Sequence, residues 1–129
     1  MERDRILLVE DDPFLRRACE AGLRKRGYQV ILAVDGEEAL QRIREDAPAL
    51  VLLDLLMPKL SGMEVLAELK KDEKTRHIPV VILTNSSTEL ERKNTASLGA
   101  AGYLVKANLS LKELADYVAD FLKAHKHHS

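Results

Sequence analysis

Five residues have types and positions that could do chemistry together: Glu10 and Asp11 in Val9-Glu10-Asp11-Asp12, Asp54 in Leu50–Pro58, Thr84 after Ile82-Leu83, and Lys106 after Tyr103-Leu104-Val105. Each stands at or just past the end of a short apolar run. Asp54 poses the sharpest question, because an ionised group in or beside an apolar core is costly unless paired, solvated or metal-bound. Three carboxylates brought together repel one another, so a cation is wanted. Hard oxygen ligands with room for water suit Mg²⁺ better than zinc, which prefers His and Cys. A cation and Lys106 would neutralise the acids and leave one carboxylate able to accept a phosphoryl group, an established form of covalent catalysis.

Taken singly, every one of these residues has a plainer reading. Consecutive acids after a strand serve as a capping turn, and Asp12 reads as the N-cap of the first helix. Thr84 alone is a strand residue, Lys106 a loop charge, and Asp54 a turn residue before Pro58. The plain readings leave unexplained why all of them fall at strand ends.

The positioning elements follow from hydrophobic pattern. The apolar runs Ile6–Val9, Gln29–Ala33, Leu50–Leu53, Val80–Leu83 and Gly102–Val105 are mostly too short and too continuously apolar for amphipathic helices. They predict strands buried on both faces. Helical spacing fills the intervals. Asp12-Pro13 offers an N-cap and a first-turn proline, while Asp35/Glu38, Ser61/Glu64, Thr88/Glu91 and Ser110/Glu113 have capping-box spacing. Alternating strands and helices with short connections predict a three-layer α/β sandwich, and right-handed crossovers narrow it to a doubly wound five-stranded parallel sheet. Sites in such sheets form outside the carboxyl ends of the strands, where the five residues stand.

Composition sets outer bounds. The 129 residues are 46% hydrophobic and 32% charged, the balance of a soluble globular domain, and no linker or repeat divides them. Residues 1–124 are expected to form the domain, and 125–129, with three of the four histidines, a polar tail rather than a metal site. Twenty basic against twenty-one acidic residues leave a net charge of -1, which argues against a broad nucleic-acid or membrane footprint. Cys19 is the single cysteine, so no intramolecular disulfide forms, and a buried helical thiol is the expectation. Only four consecutive apolar residues precede Glu10, too few for a signal-peptide core, and nothing approaches a membrane span. The expected location is the cytoplasm.

The motifs Val9-Glu10-Asp11-Asp12, Leu53-Asp54-Leu55-Leu56-Met57-Pro58 with Ser61-Gly62, Ile82-Leu83-Thr84 and Tyr103-Leu104-Val105-Lys106 together resemble the receiver domain of two-component response regulators, from about Arg5 to Leu122. The resemblance implies a flavodoxin-like sheet of strand order 2-1-3-4-5. It implies that Asp54 is the phosphoacceptor, served by a phosphohistidine on a sensor histidine kinase or histidine phosphotransfer protein. Glu10, Asp11, Asp54 and the backbone carbonyl of Leu56 would hold Mg²⁺. Lys106 would pair with the phosphoryl oxygens, Thr84 would hydrogen-bond them, and Tyr103 would turn inward as Thr84 shifts. About residues 88–123 would form the face read by a downstream protein, with a homodimer through that face left open.

The sequence departs from the family pattern in places. Asn85 follows the threonine where a small residue is usual, which bears on phosphorylation rate. Ala107 replaces the usual proline after Lys106. A cis bond before a residue other than proline costs about 3–4 kcal/mol, so a trans Lys106–Ala107 bond and an altered loop are expected. Leu56 and Ser86 occupy positions that tune dephosphorylation. Three other functions stay in view. An aspartate-nucleophile phosphatase would carry a second Asp where Leu56 stands. A flavodoxin-like cofactor binder would need a phosphate loop where the acids would repel phosphate. A degenerate receiver acting through protein contacts alone is disfavoured by the intact Glu10, Asp11, Asp54, Thr84 and Lys106. The chain ends soon after the fifth helix, so output is expected through a partner.

Overall fold

The computed structural model describes residues 4–57, 59–85 and 88–125. Five strands, β1 (Arg5–Val9), β2 (Gln29–Ala33), β3 (Leu50–Leu53), β4 (Val80–Thr84) and β5 (Gly102–Val105), alternate with α1 (Pro13–Lys25), α2 (Gly36–Asp46), α3 (Gly62–Lys71), α4 (Glu89–Ser97) and α5 (Leu111–His125). The strands are parallel in the order β2-β1-β3-β4-β5. This is the expected doubly wound, flavodoxin-like sandwich. β1 gains Arg5 and β4 gains Thr84 over the sequence-based bounds, so Thr84 closes its strand instead of following it.

Strand alternation divides the core into two layers. Leu7, Val9, Val51, Leu53, Val80 and Ile82 point to one face and pack with Ala39 and Ile43 of α2 and Val65, Leu66 and Leu69 of α3. Ile6, Leu8, Leu50, Leu52, Val81 and Leu83 point to the other and meet Cys19 and Leu23 of α1 and Leu114, Val118, Phe121 and Leu122 of α5. Cys19 is buried as expected, and burial, followed by the charge of Glu10, pushes its thiol up to about 11. It is therefore a neutral packing group at ordinary pH. Burial on both faces holds for β3 and β4, whereas the residues of edge strand β5 are all only partly buried.

The helix starts are set by their caps. Asp12 accepts hydrogen bonds from the Phe14 and Leu15 N–H groups, with Pro13 opening α1. Asp35 caps α2 through Glu38, Ser61 and Glu64 form a reciprocal box on α3, and Thr88 caps α4 through Glu91. Ser110 and Glu113 exchange backbone bonds at α5. No peptide bond among the described residues is cis, and the expected altered loop after β5 is a single 3-10 turn, Lys106–Asn108. α5 runs through His125; the rest of the expected tail, together with Pro58 and Ser86, lies outside the described residues. No helix among the described residues is long and apolar enough to cross a membrane.

Candidate functional site

Sheet register brings the candidate residues together. Val9 pairs with Leu53, so Glu10 and Asp54 leave adjacent central strands at the same level, and the Asp54 N–H donates to the Val9 carbonyl at 3.2 Å. Thr84 pairs with Val105, which places Lys106 one residue beyond it. Four of the five residues are thereby fixed by strand ends, and Asp11 by its neighbour Glu10. Oxygens of Glu10, Asp11 and Asp54 all lie within 4.8 Å of one another.

The cluster is more enclosed than strand-end positions imply. Glu10 is 2% exposed, Asp54 6% and Thr84 0%, while Asp11 opens to solvent. Lys106 bridges the two buried acids: its Nζ donates to Asp54 Oδ2 at 3.0 Å and also to Glu10 Oε1. The other oxygen of Asp54, Oδ1, accepts the Leu56 N–H at 3.2 Å, and Glu10 Oε2 accepts the Asp12 N–H at 3.2 Å. Burial pushes the Glu10 carboxyl above its ordinary range, and Lys106 and Asp12 only partly offset it. For Lys106 burial pulls down, but the bonds and charges of Glu10 and Asp54 outweigh it and hold the ammonium above its usual range. The lysine therefore stays charged inside the pocket.

The surrounding loops lock this arrangement. α3 begins hard against the strand: the Gly62 N–H donates to the Leu55 carbonyl at 3.0 Å, and a Cβ on Gly62 would stand 2.3 Å from the Asp54 carbonyl oxygen. Only glycine fits there. Lys59, at a left-handed φ of 67°, reaches 3.5 Å to Asp35, tying the loop after Asp54 to the cap of α2. On the β1–α1 loop, Arg16 Nη1 donates to the carbonyls of Glu10 at 3.0 Å and Asp11 at 3.3 Å. Arg16 and Gly62 were not among the residues singled out for chemistry. Ser61-Gly62 was visible as a motif, but the close approach was not, and Arg16 reads in sequence as one more helical charge.

Around the pocket, Leu56 is 70% exposed, and Asn85 is exposed as well. Tyr103 is partly buried, and the Arg92 guanidinium carbon of α4 lies 4.7 Å from its ring centroid. Three carboxylates with one solvent-facing member form a hard, oxygen-only donor set that fits a divalent cation of the Mg²⁺ type and offers zinc none of its preferred ligands.

The chain matches the family model described as "Response regulator receiver domain" over residues 6–119. It is 41% identical over 123 residues to a probable transcriptional regulator, ycf27, of Porphyridium aerugineum, covering 95% of this chain and 50% of that protein. The chain thus spans about half the length of the curated relatives it matches first. Among solved structures it is similar to the phosphorylated cyanobacterial phytochrome response regulator RcpA, with a TM-score of 0.80, 34% identity, and coverage of 93% of this chain and 91% of that one. The Mn²⁺-bound form of the response regulator Rcp1 gives a TM-score of 0.77 and 35% identity, covering 89% and 88%.

Proposed function

The chain belongs to the response regulator receiver domain family, and on that premise we propose that it is a phosphorylation-dependent switch with Asp54 as its phosphoacceptor. The single observation that carries this reading is Lys106 bridging Glu10 and Asp54 at the carboxyl ends of the central strands. A carboxylate oxygen of Asp54 attacks the phosphorus of a phosphohistidine on a sensor histidine kinase or histidine phosphotransfer protein. The P–N bond breaks, the imidazole departs and an acyl phosphate remains on Asp54. Negative charge passes from the carboxylate to the phosphoryl oxygens, and the Lys106 ammonium follows it. Glu10, Asp11, Asp54 and the Leu56 carbonyl would hold Mg²⁺, which when bound offsets phosphoryl charge as a Lewis acid. Similarity to one phosphorylated and one Mn²⁺-bound response regulator supports a domain that takes up a phosphoryl group and a divalent cation.

The readout proposed for the switch begins at Thr84, fully buried at the end of β4 and suited to hydrogen-bond the phosphoryl group. Its movement would let Tyr103 turn inward and change the face formed by about residues 88–123, where a downstream protein binds. The chain modifies itself and turns over no external substrate. It acts in the cytoplasm through protein partners.

Intact-mass analysis after incubation with acetyl phosphate and Mg²⁺ tests the reading. Wild type should gain one phosphoryl group and Asp54→Asn should gain none. An unmodified wild type would favour an interaction module that works without phosphorylation; equal gain by the variant would move the site elsewhere.

A further inference from the structure

The acidic loop between β1 and α1 is held by a side chain that the proposed chemistry does not use. From one nitrogen, Arg16 donates to the carbonyl oxygens of Glu10 and Asp11, at 3.0 and 3.3 Å. These residues supply two of the three clustered carboxylates. We propose that Arg16 is the positioning residue of the cation site, fixing the backbone of the acidic loop so that Glu10 and Asp11 stand ready for a divalent cation. The proposal rests on reading the cluster as a cation site.

Asp11 is the member that most needs such help. Its side chain faces solvent, so packing does not orient it. Its backbone is nevertheless tethered on both sides: the Glu10–Asp11 and Asp11–Asp12 peptides each have their carbonyl on Arg16. The Glu10 N–H is on the Ala33 carbonyl at 3.0 Å, and the Asp12 N–H is on Glu10 Oε2 at 3.2 Å. Without the tether, mutual repulsion among the acids favours an open loop, which a cation would have to re-close.

Two effects of Arg16 on cation binding oppose each other, and this gives the proposal a sign. A fixed positive charge nearby repels an incoming cation, so as a mere charge Arg16 weakens binding. As a tether it strengthens binding, because outer contacts that orient ligands are commonly worth 10- to 100-fold in metal affinity. Both bonds go to carbonyls, so Arg16 orders the ligand residues without taking up their carboxylates. The tether is the larger effect. Lysine at this position keeps the charge and can donate more than one bond from its single nitrogen, but its ammonium ends one atom short of Arg16 Nη1, so it restores the tether only in part.

The test is direct Mn²⁺ and Mg²⁺ titration of the full chain by calorimetry, with Mn²⁺ paramagnetic resonance as a second readout, because the protein has no tryptophan to report binding. Arg16→Met should weaken Mn²⁺ binding about tenfold or more while shifting the metal-free melting temperature by only a few degrees, and Arg16→Lys should fall between. Faster amide exchange at Asp11 and Asp12 in Arg16→Lys would report the loosened loop even if Arg16→Met folds poorly. Unchanged or tighter binding in Arg16→Met overturns the proposal, as does Arg16→Lys matching wild type in both affinity and exchange. A wild type that binds neither cation overturns the cation site itself, a separate failure.

Discussion

Helices α3 and α4 follow adjacent central strands and begin with similar Ser/Thr-x-x-Glu caps, yet the sheet holds them very differently. α3 buries Gly62, Val65, Leu66 and Leu69, and its first residue presses on the Asp54 and Leu55 backbone. α4 buries Thr95 alone. The Thr95 hydroxyl turns back onto its own helix, donating to the Glu91 and Arg92 carbonyls at 3.0 and 3.1 Å. One helix is part of the mount for Asp54, the proposed phosphoacceptor; the other rests lightly beside the residues proposed to move. A switch needs both, because the reacting group must stay fixed while the reporting surface stays cheap to rearrange.

Removing apolar contact from the mount should do the most damage. Leu66→Ala, at a fully buried position, is expected to cost about 2–5 kcal/mol in urea unfolding. Gly62→Ala comes next, at roughly 1–3 kcal/mol, since its Cβ must push against backbone. Its phosphorylation by acetyl phosphate should slow as well, because the displaced carbonyl belongs to Asp54. A phosphorylation rate equal to wild type would show that α3 does not hold the site.

Acid should loosen the mount from α2. The Glu38 N–H, then Lys59, hold the Asp35 carboxyl below the usual carboxylate range. A depressed folded-state value means that the contribution is complete above the ordinary carboxylate pKa and disappears as pH falls through the lower one. Wild type should therefore lose stability on acidification more steeply than Asp35→Ala; parallel acid limbs would contradict this. The smallest effect belongs to α4. Leu90→Ala, at a residue 68% exposed, should change stability by less than about 0.5 kcal/mol. The amides of α4 should also exchange with solvent faster than those of α3. Equal protection would erase the contrast between the two helices.

Most of the mount was legible in the sequence, because burial of β3 and β4 forces continuous apolar runs and caps demand particular side chains. β2, β3 and β5 begin and end where the apolar pattern places them. The candidate residues could be placed at the strand ends because a strand leaves little freedom for the residue that follows it. What stayed hidden depends on contacts between distant elements. Lys106 reads as a charge that offsets the acids and pairs with phosphoryl oxygens, but nothing local shows that it bridges Glu10 and Asp54 in particular. Arg16 is one of several arginines on α1, distinguished only by where its guanidinium ends. The half-burial of β5 reflects its place at the sheet edge, which its four residues do not encode.

The guanidinium of Arg92 over the Tyr103 ring sets a threshold. A contact of this kind at an exposed site is worth about 0.5–1 kcal/mol, and any rotation that carries the ring away from Arg92 forfeits it. That amount corresponds to roughly a two- to fivefold bias in population toward the resting orientation. If the proposed inward turn of Tyr103 carries the signal, a bias of this size would keep spontaneous signalling low without locking the ring. In the proposed switch Arg92 would act as a noise filter, and its side chain offers a place to adjust basal output without touching the site at Asp54.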